Sequence, residues 1–281
     1  MEILKIENLS KTYPAFKLDN VSFSMEEGTI MGFIGRNGAG KTTTMKSMLK
    51  FVHPDCGNVI INGYDISKDE IKVKESIGFV SGADCFYNGL TIKKVSSVTC
   101  KFFKNWNEKL YRELLQKFNL DENKKIKSLS AGMKIKYQVA IAMSHDAKLL
   151  ILDEPTSGLD PVSRDELIIL FNDYIADGKH SILFSTHITS DLEKCADYVT
   201  YIKAGKIIAS SDIKSFENDW LLVSGNENDF TDEEKSKLLG YYSHKGQAEG
   251  MIKTDDKIAF ENKKFEIKKP SLEEIMVHLE R

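Results

Sequence analysis

Cysteine is scarce and scattered in this sequence: Cys56, Cys85, Cys100 and Cys195 share no CxxC spacing. That pattern argues against a disulfide framework and against a thiolate metal site, and it suits a reduced compartment. Charge of one sign is also missing. The net charge is −3, so no basic field draws nucleic acid, and no nucleic-acid partner is expected. Apolar runs such as AKLLIL are only strand-length, far short of the roughly 18 residues a bilayer-crossing helix needs. The opening MEILKIENLSK lacks the basic-then-apolar pattern of a secretory leader. A role at a membrane would therefore need spans from another polypeptide. No internal repeat or low-complexity tract is evident.

What remains is a globular composition, 41% hydrophobic and 29% charged over 281 residues, enough for one large domain or two ordinary ones. ILKIENLSK and NVSFSMEEGTIMGFIG read as strands, GAGKTTTMKSMLKFV opens a helix, and GNVIINGYDI is strand and turn. Residues 91–145 lean helical, and NEKLYRELLQKF sets Leu110, Leu114, Leu115 and Phe118 on one face. KLLILDEP and SILFST are buried strands around a helix that starts near Pro161 and stops at Gly178. DYVTYIKAGKIIAS reads as a hairpin turning at Ala204-Gly205. Strands alternating with helices imply an α/β fold with a mainly parallel sheet. After Lys214 the pattern changes to a small α+β appendage, whose last helix begins with a Ser271/Glu274 capping box. The charge-rich DDKIAFENKKFEIKK mixes both signs and reads as a solvated face.

Gly35-Arg36-Asn37-Gly38-Ala39-Gly40-Lys41-Thr42 fits the phosphate-cradling pattern G-x-x-x-x-G-K-[ST], between a strand and a helix as the pattern requires. Its backbone N–H groups would surround phosphates, Lys41 would neutralise their charge, and the Thr42 hydroxyl would bind Mg²⁺. Thr43 would reach a phosphate oxygen. Asp153 ends the apolar strand LLILD at the expected ligand-binding edge and would hold Mg²⁺ through water. Glu154, next in sequence, is the candidate general base for attack of water on a γ-phosphate. A second small-residue turn opening a helix, at Ser130, Ala131 and Gly132, offers another set of free N–H groups.

Together these stretches resemble the ATP-binding subunits of ABC transporters. LSAGM is similar to that family's LSGGQ signature, LLILDEP to its Walker B strand, SGLD (Ser157 to Asp160) to its D-loop, and STH, ending at His187, to its switch histidine. Tyr13 stands 22 residues before Gly35, where the family carries an aromatic that stacks on adenine. The resemblance covers roughly residues 2–215 and is specific because five motifs occur in order. It implies an ABC-type P-loop ATPase core with a β-subdomain and a helical subdomain. The core would span residues 1–214, with the helical part at about 88–145 and the appendage at 215–281. It also implies ATP and Mg²⁺ as ligands, a second ATPase subunit, and separate transmembrane permease subunits. The site would lie on the cytoplasmic face of the cell membrane. Two subunits would meet head to tail, with Ser130, Gly132 and Asp160 of each facing the ATP held by the other. This explains two phosphate-seeking segments in one chain. The tail PSLEEIMVHLE resembles exporters of the ABC-2 kind, which act on drugs or antimicrobial peptides.

Three positions depart from the family pattern, one of them Met133 in place of the usual signature glutamine, a change common in exporter-type members. Ala131 replaces the first signature glycine, and Gly82 stands where a glutamine is expected, with Asp84 nearby as a substitute ligand or a plain loop acid. Gly82 keeps open a nucleotide-gated regulator that hydrolyses poorly. A soluble ABC-type factor acting on nucleic acid or ribosomes is the other alternative. Against it, only roughly 110 residues separate Lys41 from Asp153, without sustained heptads.

Overall fold

Three apolar runs explain the centre of the molecule. In this computed structural model, which describes residues 1–81, 87–260 and 264–281, strands β3 (Ile30–Ile34), β7 (Leu149–Asp153) and β8 (Ser181–Thr186) are buried at every residue. A strand covered on both faces belongs to a parallel sheet between helices. Strands β6 (Ile77–Ser81), β9 (Tyr198–Lys203) and β10 (Lys206–Asp212) complete that sheet in the order β10-β9-β3-β8-β7-β6. All pairs are parallel except β10, which returns through Ala204 and Gly205 at φ 47° and 78°. Two positive φ values give the turn whose twist matches a two-residue hairpin. In this order the C-terminal ends of β3, β8 and β7 are neighbours, with Ile34 opposite Thr186 and Ser185 opposite Asp153.

The first strands, β1 (Glu2–Tyr13), β2 (Phe16–Glu26), β4 (Cys56–Ile61) and β5 (Tyr64–Asp65), form an antiparallel sheet in the order β2-β1-β4-β5. It packs on helix α1 (Lys41–Met48) through Met45 and Met48. Helix α2 (Glu70–Ser76) leads into β6. Helices α3 (Ile92–Thr99), α4 (Glu108–Lys117) and α5 (Ala131–Met143) fill the helical stretch. Each is capped by a side chain that accepts a backbone N–H: Thr91, Asn107 and Ser130. The Ser96 hydroxyl joins the three, hydrogen-bonding the hydroxyls of Tyr111 (2.6 Å) and Tyr137 (2.8 Å). Burial pushes the Tyr111 phenol up to about 12, so it stays a neutral hydrogen-bonding group. The inner face of α4 is Tyr111, Leu114 and Leu115, continued by Phe118, while Leu110 is half-buried. Tyr111 joins the apolar side because its hydroxyl is satisfied there.

Helix α6 (Pro161–Ile175) connects β7 to β8, the short α7 (Thr189–Leu192) follows β8, and α8 (Ile213–Asn218) follows β10. Strands β11 (Trp220–Asn226), β12 (Leu239–His244), β13 (Gln247–Lys253) and β14 (Glu266–Lys268) make a third, antiparallel sheet in the order β12-β13-β11-β14. Helices α9 (Asp232–Lys237) and α10 (Leu272–Glu280) accompany it, each started by a capping box. Val223, Phe230 and Phe260 form a small core of this part. Helix α10, however, lies back on the first part. Leu272, Ile275 and Leu279 share one continuous core with Leu150 and Phe184. The Tyr201 hydroxyl donates to Glu280 (2.6 Å), and the Lys203 ammonium donates to the Leu279 carbonyl.

That packing ties α10 to the first part of the chain. Ile275 is fully buried. Ile275→Ala should remove about 2–4 kcal/mol and lower a single melting transition by roughly 5–10 °C. Two resolved transitions, with only the smaller one moved, would mark an independent unit beyond residue 214.

Candidate functional site

The loop after β3 curls tightly because Gly35 lies at φ 156°, and a Cβ there would come within 2.3 Å of the Ile202 carbonyl oxygen. The loop thereby turns its carbonyls onto its own lysine. Lys41, 6% exposed, donates to the carbonyls of Gly35 (2.7 Å) and Arg36 (3.4 Å) and lies 3.3 Å from Glu154 Oε1. The ammonium sits at the start of α1, where unpaired N–H groups add positive potential. A cavity of about 500 Å³ opens here, lined by Phe16, Asn37, Gly38, Gly40, Thr42 and Thr43 among others. Ala39 is buried beneath the loop.

Strand order brings in the acids. Asp153 ends β7 beside Ser185 of β8. Its carboxylate accepts from the Ser185 hydroxyl (2.7 Å) and from the Thr42 hydroxyl (2.8 Å). Asp153 and Thr42 thus present hard oxygens to one point, the ligand chemistry of Mg²⁺, an ion that keeps several waters. Glu154 follows at φ 53°, in the left-handed region where a non-glycine residue is uncommon. The strain is held by its N–H, which donates to both the carbonyl and the hydroxyl of Ser185 (3.1 and 3.0 Å). The turn aims the carboxylate back at the loop, between Lys41 and His187. His187 Nδ1 lies 2.8 Å from Glu154 Oε2. Strained residues of this kind cluster at sites of chemistry.

The second phosphate-seeking segment stands apart. Ser130 caps α5, its hydroxyl accepting the Met133 N–H at 3.2 Å. Asp160 caps α6, accepting the N–H groups of Val162 (3.1 Å) and Ser163 (3.0 Å). The Ser163 N–H in particular holds the Asp160 carboxyl below the usual range. Both caps face one cavity of about 210 Å³, together with Gly132, Gly158 and Leu159. Gly132 lies close to Leu159: a Cβ there would come 2.7 Å from Leu159 Cδ2, the end of a side chain that would have to shift. Among the described residues, none lines both this cavity and the one around Lys41.

Lys41, Thr42, Asp153, Glu154 and His187 are therefore assembled at one sheet edge, while Ser130, Gly132 and Asp160 form a separate cluster. Tyr13 lies at the end of β1 and is not in the lining of the larger cavity; its ring is 6.5 Å from that of Phe16, which is. Phe16 and Ser185 escaped the sequence reading. The available signals were the two-residue Pro14-Ala15 turn that pairs Tyr13 with Phe16, and the serine two positions before His187. Gly82 and Asp84 fall outside the described residues.

A family model described as ABC transporter matches residues 18–157. The bacitracin transport ATP-binding protein BcrA of Bacillus licheniformis is 34% identical over 73% of this chain and 68% of its own. The lantibiotic transport ATP-binding protein SrtF of Streptococcus pyogenes is 34% identical over 77% of this chain and 93% of its own. A solved structure described as the ATP-binding subunit of an ABC transporter superposes with a TM-score of 0.70. It is 28% identical, with 76% of this chain and 92% of that one covered. Among the described residues, no helix is long and apolar enough to cross a membrane.

Proposed function

The chain belongs to the ATP-binding subunits of ABC transporters, which pair with transmembrane permeases, and on that premise we propose that it powers export of an antimicrobial peptide or similar amphipathic drug. It is an ATPase whose hydrolysis is coupled to transport. The observation that carries the mechanism is the separation of the Lys41 cavity from the Ser130–Asp160 cavity. A complete site then needs two subunits, head to tail, each presenting Ser130, Gly132 and Asp160 to the other's nucleotide. Closure on ATP and opening after hydrolysis is the mechanical stroke.

Within one subunit, the loop N–H groups and Lys41 bind the phosphates, and Lys41 exchanges its carbonyl partners for phosphate oxygens. Thr42 and Asp153 would hold Mg²⁺, which supplies charge neutralisation at the phosphates. Glu154 accepts the proton of the attacking water. His187 keeps the Glu154 carboxylate oriented through its 2.8 Å contact. The adenine would rest against the Tyr13–Phe16 hairpin end. The export reading draws on what BcrA and SrtF are described as transporting.

The protein is proposed to sit on the cytoplasmic face of the membrane, held by its permease. Val98 and Phe102 offer apolar contact for that partner: Val98 lies near the end of α3 and Phe102 in the short turn that follows it, 52% and 72% exposed. Cells lacking this chain should become more sensitive to a bacitracin- or lantibiotic-type peptide. Parent protein should restore resistance, and Lys41→Ala should not. Phe102→Ser should retain ATPase activity yet lose most membrane recovery. Unchanged sensitivity across a peptide panel would reject the cargo class, and unchanged membrane recovery would reject the docking face.

A further inference from the structure

Arg164, its side chain 28% exposed, and the buried Asp191 form an ion pair that none of the steps above uses. Asp191 is 2% exposed, and its Oδ2 lies 3.8 Å from Arg164 Nε. Both atoms are buried, and among the described residues neither finds a hydrogen-bond partner. Nearby Cys195 donates to the Asp191 carbonyl, and burial pushes its thiol up to about 12, a mark of how little water reaches this spot. Apolar side chains of similar size would serve the fold as well or better.

The position of the pair suggests a use. Arg164 lies in the first turn of α6, where its N–H donates to the carbonyl of the cap Asp160 (3.0 Å), and Asp160 faces the cavity shared with Ser130. Asp191 lies in α7, which begins two residues after His187. A second pair, Lys194 with Asp165 at 2.7 Å, joins the same two segments from outside. His187 in turn touches Glu154. The link from the signature cavity to the hydrolytic carboxylate thus runs through the backbone of α6, the ion pair, and the short chain segment from Asp191 back to His187.

We propose that the Arg164–Asp191 pair is a positioning device. It passes occupancy of the signature cavity by the other subunit's nucleotide through α6 to α7, and so sets His187 and Glu154 for hydrolysis. The proposal rests on the head-to-tail reading given above. A loose ion pair suits the task, because it can tighten in one state and relax in the other.

The test uses the purified full-length chain and four variants: Asp191→Asn, Arg164→Met, Arg164→Lys, and the charge-free double variant Arg164→Met/Asp191→Leu. Asp191→Asn and Arg164→Met should each lower kcat about tenfold with KM for ATP within about twofold. Cooperativity in ATP should fall toward a Hill coefficient of about 1, and Arg164→Lys should recover part of kcat. The double variant leaves no buried charge unpaired, so it should melt like the parent and still turn over slowly without cooperativity. A double variant with parent kcat and parent cooperativity overturns the proposal, since the pair would then be packing alone. ATP-driven dimerisation of the chain carrying Glu154→Gln separates the two levels. If that chain dimerises with ATP while the pair variants keep parent kinetics, only the positioning role fails. If it never dimerises and the parent shows no cooperativity, the head-to-tail reading fails and takes the proposal with it.

Discussion

Glu154→Gln should lower ATP turnover about a thousandfold while ATP binding persists. A general base contributes roughly 10²–10⁴ in rate, and an amide of the same shape cannot take the proton. The surroundings predict which functions survive. The Gln carbonyl can still meet His187, which lies 2.8 Å from the present carboxylate. The 3.3 Å attraction to Lys41 is lost, leaving that ammonium freer for phosphate. The left-handed backbone at position 154 is held by Ser185 through main-chain bonds that the substitution does not touch. The variant should therefore run as a dimer on size-exclusion chromatography with ATP and Mg²⁺, and as a monomer with neither. Turnover within tenfold of the parent would remove Glu154 from the role of base.

The second large effect concerns the divided site. Lys41→Ala deletes a buried ammonium that would make charge-assisted bonds to phosphate, worth about 1.5–3 kcal/mol each. ATP affinity should fall roughly tenfold to a hundredfold or more. Ser130→Arg acts differently. It fills the cavity of about 210 Å³ at the start of α5, and it also removes a helix cap worth about 1 kcal/mol, so its melting curve must be measured beside its activity. Binding of ATP to the single subunit should survive, because the Lys41 cavity shares no described residue with this one. Dimer closure should not. Mixing the two variants should restore no more than one complete site per mixed dimer, formed by the intact Lys41 of one chain and the intact Ser130 of the other. Dimerisation of Ser130→Arg alone, with ATP, at the parent's concentration dependence would show that capping does not run across chains.

The sequence by itself determined the local pieces of this protein. The phosphate loop, the buried strands β3, β7 and β8, the Ala204-Gly205 hairpin, and the cap of α10 at Ser271 follow from signals spanning a few residues. Such signals include glycine where φ is positive, unbroken apolar runs, and a serine with a glutamate three positions on. The candidate residues of the Lys41 site were legible for the same reason, since each ends a strand or starts a helix. Tertiary structure alone decided their meeting. Lys41 and Asp153 are far apart in the chain, and only the order β3-β8-β7 sets their strand ends side by side. It also decided the left-handed turn at Glu154, which depends on Ser185 from a different strand. The return of α10 onto the first core depends on apolar faces that a linear pattern marks as buried without naming the partner. Arg164 and Asp191 have no periodic or capping signature at all. Their pairing arises only because the fold brings the start of α6 within side-chain reach of α7, setting a partly exposed arginine against a buried aspartate.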